Sequence, residues 1–175
     1  MIIWRAGLIW LLLAGTAHAL NLSLPAAARQ TVTRDTDPDS YLAPTSAFEN
    51  GGLASVKVEG SIARSAWRLE APGLTPLQIM RPLRTQLEDA GYRIVLDCSA
   101  EVCGGFDFRF AIETLPAPNM YVDLRQYQFV TAVKGSLQSP DAVATLLVST
   151  TDTSAYLQIV EADAQGQASS PSVPE

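Results

Sequence analysis

Cys98 and Cys103 are the only thiols in the 175-residue chain, and they stand in the stretch LDCSAEVCGGFDFRF, residues 96–110. Paired thiols serve redox exchange, metal ligation or covalent cross-linking. A redox pair reads Cys-x-x-Cys at the start of a helix; here four residues separate the thiols, and both flanks alternate as strands do. A structural zinc site takes about four ligands, and the single histidine, His18, lies in the apolar leader. An even count in an exported chain reads as a disulfide, so Cys98 is expected to bond to Cys103 and to staple a hairpin tip. A loop this small gives a chain-entropy gain of about 2 kcal/mol.

Beyond residues 1–19 there is no histidine, which removes Ser-His-Asp and Cys-His catalysis, histidine-based zinc sites and histidine-ligated haem. Lys57 and Lys134, the two lysines, belong to no phosphate-binding loop. Asp35, Asp37 and Asp39 share the spacing of half a calcium loop. Ser40 stands where that loop needs its turn glycine, Ser46 where it needs its bidentate glutamate, and Pro38 interrupts it, so the cluster reads as a solvated turn. Paired carboxylates can hydrolyse glycosides without histidine. Asp107 and Asp123 are the candidates for that, against a plain surface alternation with Arg109 and Arg125. No catalytic, cofactor or metal site is therefore assigned.

The elements that carry these residues follow from periodicity. LTPLQIMRPLRTQLEDAGY predicts one principal helix over about 75–90, with Thr75 as cap, Pro76 at the first helical position and Gly91 as the stop. Leu77, Met80, Leu83, Leu87 and Ala90 form its apolar stripe, and Pro82 is expected to bend it or delay its regular start. YRIVLDC and FDFRF alternate as strands around Gly104–Gly105, which places Phe106, Phe108 and Phe110 on one face, as core beneath the helix stripe. Residues 20–48 read as an extended, turn-rich start, and 56–71 as two short strands about Gly60 and Ser61. The segment from Met120 alternates and is followed by a strand from Gln126 to Val133. AVATLLVSTT and SAYLQIVEA form a closing hairpin. The expected fold is α+β: a mainly antiparallel sheet of six to eight short strands, with one helix packed on one face.

The chain opens MIIWRAGLIWLLLAGTAHA, with Arg5, an apolar run and the small-x-small pattern Ala17–His18–Ala19. This reads as a signal peptide over 1–19. A single domain over 20–161 follows, and then a disordered tail or linker over 162–175. No later segment approaches the ~20 apolar residues of a membrane helix. Without the leader, eleven basic side chains face eighteen acidic ones, a net charge of −7, which disfavours nucleic acid as a partner.

The run LQIMRPLRTQLEDAGYRIVLDCSAEVCGGFDFRFAIETLPAPNMYVDLRQYQFVTA resembles the N-terminal periplasmic domain of alphaproteobacterial OmpA-family proteins. The helix ending in Ala-Gly-aromatic, the Asp-Cys…Cys-Gly-Gly-Phe-Asp-Phe-Arg-Phe motif and the Leu-Pro-x-Pro-x-Met run carry the resemblance, which covers about residues 20–161. It implies a periplasmic location, possible association with the outer membrane, and envelope proteins or polymer as partners. It supplies no reaction and no cofactor. The C-terminal peptidoglycan-binding domain of such proteins has no counterpart in these residues. The expected function is a non-enzymatic envelope domain acting in interaction or tethering. The alternative is a small-ligand or envelope-polymer binding domain with carboxylate-dependent hydrolysis.

Residues 163–175 lack apolar periodicity. Limited proteolysis is expected to trim them and leave the melting temperature nearly unchanged; a large loss of stability on trimming would show that they pack.

Overall fold

The computed structural model describes residues 20–164, so the leader 1–19 and all but the first three residues of the expected tail lie outside the described part. Six strands make one antiparallel sheet: β1 (Arg29–Pro44), β2 (Ser55–Glu70), β3 (Arg93–Ser99), β4 (Tyr127–Gly135), β5 (Pro140–Thr150) and β6 (Ser154–Asp163). Their order is β1-β2-β6-β5-β4-β3. Helix α1 (Pro76–Asp89) links β2 to β3, and two short helices, α2 (Ala100–Cys103) and α3 (Gly105–Ala111), follow β3. The class is α+β with a dominant sheet, as expected, but among the described residues three helices are present rather than one, and they cover both faces.

One cover is regular. Helix α1 begins with a capping box: the Thr75 N–H donates to Gln78 Oε1 at 2.8 Å, and the Gln78 N–H donates to Thr75 Oγ1 at 3.3 Å. It ends with Gly91 at φ +83°, where the Gly91 N–H reaches the Glu88 carbonyl and the Tyr92 N–H the Leu87 carbonyl. The buried side chains are Ile79, Met80, Leu83 and Leu87. Leu77 is exposed instead. At 3.6 residues per turn it lies about 120° around the helix from Leu83, whereas Ile79 lies about 40° away. Residues 20–28 run beside α1, burying Leu20, Leu22 and Leu24 in the same cluster as Trp67, Leu146 and Leu157. Gln86 fastens this segment, accepting from the Ser23 N–H at 2.7 Å and donating to the Ser23 carbonyl at 3.1 Å.

The other cover is irregular, and here several expectations give way. Residues 29–44, read as a turn-rich start, form a 16-residue edge strand. Asp35, Asp37, Pro38 and Asp39 lie along it, and edge position is where a sheet tolerates proline and charge. Residues 55–70 are one long strand, not two short ones. Register shifts in β1 at Gln30/Val32 and Thr36/Asp39 mark bulges, which bend a strand pair and increase its twist. The far half of the β1–β2 pair folds over the sheet and buries Tyr41, Ala43, Val58 and Ile62 against Val133, Val143 and Val160. Arg64 holds the bend from beneath, with Nε 2.5 Å from Glu113 Oε1, Nη1 2.9 Å from Thr36 Oγ1 and Nη2 3.2 Å from Asp39 Oδ2. Residues 112–126, whose end alternates as a strand would, form no strand. The last strand continues past Glu161: Ala162 is buried and the Ala164 N–H donates to the Asp141 carbonyl, so residues 162–164 belong to the fold and not to the tail expected from 162.

Leu83→Ala is expected to cost about 2–5 kcal/mol, and Leu77→Ala to stay within about 0.5 kcal/mol. Urea denaturation of the two variants side by side checks the helix face; equal losses would contradict it.

Candidate interaction surface

The stretch 96–110 folds differently from the expected hairpin. Cys98 is the penultimate residue of β3 and Cys103 ends α2, and the two are bonded, with their Cα atoms 5.2 Å apart. The disulfide therefore pins a strand-to-helix corner. Gly104 follows at φ +113°, and a Cβ there would sit 2.9 Å from both Cβ and the carbonyl oxygen of Phe48. Glycine is required by backbone angle and by the close approach of the β1–β2 connection. The Phe48 N–H donates to the Cys103 carbonyl at 2.7 Å, so this connection is tied to the same corner.

Helix α3 then sorts the three phenylalanines. Spacing of two residues suits a strand, but in a helix it puts Phe106 and Phe110 on one side, at i and i+4, and Phe108 about 200° around from Phe106. Phe108 is fully buried, 5.0 Å centre to centre from Phe129 in an edge-on contact and 6.4 Å from Tyr127. It lies on the sheet face opposite α1, in the cluster of Cys98, Cys103, Met120 and Leu147. The expectation that all three rings form core under the α1 stripe is thus corrected: Phe106 is 59% and Phe110 65% exposed.

The exposed rings pack on each other at 4.5 Å, and the Arg109 guanidinium lies 5.3 Å from the Phe110 ring centre. Burial lowers the Arg109 pKa from its ordinary value, with Tyr127 opposing. Val102 on α2 is 66% exposed, and Glu101 and Asp107 are exposed beside these residues in the chain. Beneath, the Tyr127 hydroxyl donates to the Gly105 carbonyl at 2.9 Å and lies 3.3 Å from that of Ala100. Burial pushes this hydroxyl up to about 12, and Arg109 opposes the rise.

The carboxylates considered for hydrolysis lie on different segments, α3 and the loop before β4. Asp107 is exposed on α3. Asp123 folds its own turn, with Oδ1 accepting from the Arg125 N–H at 2.8 Å. Among the described residues, no group of three or more His, Cys, Asp or Glu side chains is placed to hold a metal, and no helix is long and apolar enough to cross a membrane. A separate apolar groove of about 350 Å³ runs between residues 23–27 and the first turns of α1, lined by Leu24, Pro25, Leu69, Leu74, Ile79 and Pro82. Neither this groove nor the paired exposed rings are foreseen from sequence; an i, i+4 aromatic pair beside Gly-Gly is the signal that points to the latter. No family model and no curated protein matches the chain.

Phe108→Ala is expected to cost about 3–5 kcal/mol, while Phe106→Ala and Phe110→Ala each stay within about 0.5 kcal/mol. Denaturant midpoints for the three variants check this; a large loss at Phe106 or Phe110 would show that the outer rings are covered.

Proposed function

We propose that the chain is an exported, non-enzymatic domain of the cell envelope, related to the periplasmic domain of OmpA-family proteins, and that it acts in interaction or tethering. The observation that carries this reading is the exposed Phe106–Phe110 pair, held outward by a helix whose inner ring, Phe108, is fully buried. Two aromatic rings left in water on a braced element have little value to the fold and much to a contact. An apolar centre beside charges of both signs, Glu101, Asp107 and Arg109, matches the anatomy of a protein–protein contact. The partner is therefore taken to be a second envelope protein presenting apolar side chains. The disulfide at the foot of this element supports export, because such bonds persist in oxidising compartments.

Expression of the full chain in a bacterial host with two membranes tests the location. The protein is expected in the periplasmic or envelope fraction with no free thiol; retention in the cytoplasm with two alkylatable cysteines contradicts the reading. A photo-crosslinker at Val102 tests the contact. Phe106→Ser with Phe110→Ser is expected to abolish a discrete cross-linked species while leaving the melting temperature unchanged. Persistence of that species, or equal co-sedimentation of both forms with purified peptidoglycan sacculi, argues against the proposed contact.

The apolar groove beside α1 favours a second reading, a small apolar ligand bound between Leu24 and Ile79. Saturable binding of a fluorescent fatty acid, lost in Ile79→Glu, would support it.

A further inference from the structure

Leu20 is 4% exposed, and its backbone N–H donates to Glu161 Oε1 at 3.1 Å. Glu161, on β6, is 2% exposed. A carboxylate this deep is costly unless donors or a positive charge meet it. Tyr92, Lys134 and Asp163 are titratable groups described at this corner. Tyr92 follows α1, and burial first, then Glu161 and Asp163, push its hydroxyl well above the ordinary range. Lys134, on β4, places its Nζ 5.6 Å from the Tyr92 ring centre.

The nitrogen that reaches Glu161 belongs to the residue that follows the Ala17–His18–Ala19 pattern. We propose that Glu161 is the docking site for a new N-terminus created by processing between Ala19 and Leu20. A processing peptidase would add water across that peptide bond, leaving a carboxylate on Ala19 and an α-amine on Leu20 that takes up a proton. The ammonium forms a buried ion pair with the Glu161 carboxylate. An amide offers one neutral donor at this position; an ammonium offers three and a full charge. Leu22 and Leu24, buried on the same segment, fix it in place. The inference rests on the export reading above for its cleavage event, and on Leu20 and Glu161 for its chemistry.

The test uses chains beginning at Leu20, with the α-amine free or acetylated, each with Glu161 and with Glu161→Gln. The free amine of the wild-type form is expected to titrate above its ordinary range of about 7.7–8.0. Because the folded pKa is raised, the stabilisation is complete below that ordinary range and is lost as pH rises through the raised value. Acetylation is expected to lower the folded-to-unfolded ratio on the order of 100-fold at neutral pH, and to change it much less in Glu161→Gln. An α-amine of ordinary pKa in the folded protein overturns the proposal, as does an equal acetylation effect in both backgrounds. If Glu161→Gln does not fold, the amine titration in the wild-type chain decides alone. The mass of the exported protein judges the cleavage separately: a start at a residue other than Leu20 refutes the processing event, whatever the amine titration shows.

Discussion

An irregular segment laid over a sheet carries backbone N–H and carbonyl groups away from water, and each needs a partner. Helix α1 meets this demand within itself. The opposite cover, made of two short helices, residues 112–126 and the folded-over end of β1, does not. Its partners are polar side chains standing on the buried face of the sheet. Gln158 accepts from the Leu115 N–H at 2.7 Å and donates to the Glu113 carbonyl at 2.9 Å. Ser149 accepts from the Asp123 N–H and donates to the Gln126 carbonyl, both at 2.9 Å. Thr131 donates to the Pro44 carbonyl at 2.6 Å, and Tyr127 to that of Gly105. Thr145 meets the Tyr41 hydroxyl at 2.7 Å. Thr131, Thr145, Ser149 and Gln158 are all buried, and the bonds to Leu115, Pro44 and Tyr41 are themselves buried, where water does not compete.

This division of labour shapes the surface. The face under α1 is mostly apolar, and the helix closes it with Ile79, Leu83 and Leu87. The opposite face mixes rings with hydrogen-bonding side chains, which lets a seven-residue helix be fixed in place with one buried phenylalanine. With Phe108 and the Tyr127–Gly105 bond holding it from below and the disulfide closing its foot, α3 is free to present Phe106 and Phe110 outward. The contact surface proposed for the domain is thus a consequence of how the second cover is anchored.

Much of the first cover and the central sheet is legible in the sequence, because their signals are long. Thr75, Pro76 and Gly91 bracket α1 as their types require, and β4, β5 and β6 are nine- to eleven-residue runs rich in apolar residues and buried almost throughout. The second cover is not legible, for three physical reasons. FDFRF satisfies both a two-residue and a helical period, and five residues do not separate them. The edge strand β1 carries Asp35, Asp37, Pro38 and Asp39, the residues that elsewhere mark turns, because an edge tolerates what a centre rejects. Thr131, Thr145 and Gln158 look like solvent-facing positions, yet they are buried because the chain folds back over them. That return depends on bulges and on Arg64, a single side chain joining Thr36, Asp39 and Glu113 across long sequence separations.

The anchoring account is tested most directly by amide hydrogen exchange on Gln158→Leu. The substitution leaves the Leu115 N–H buried without its partner, at about 1–3 kcal/mol, and frees the partly buried Glu113 carbonyl. Exchange of amides between 105 and 122 is predicted to accelerate about tenfold or more, while those of α1 and of β5 keep their protection. Unchanged exchange at Leu115, or an equal acceleration on both faces of the sheet, would contradict the claim that side chains of the sheet hold the second cover in place.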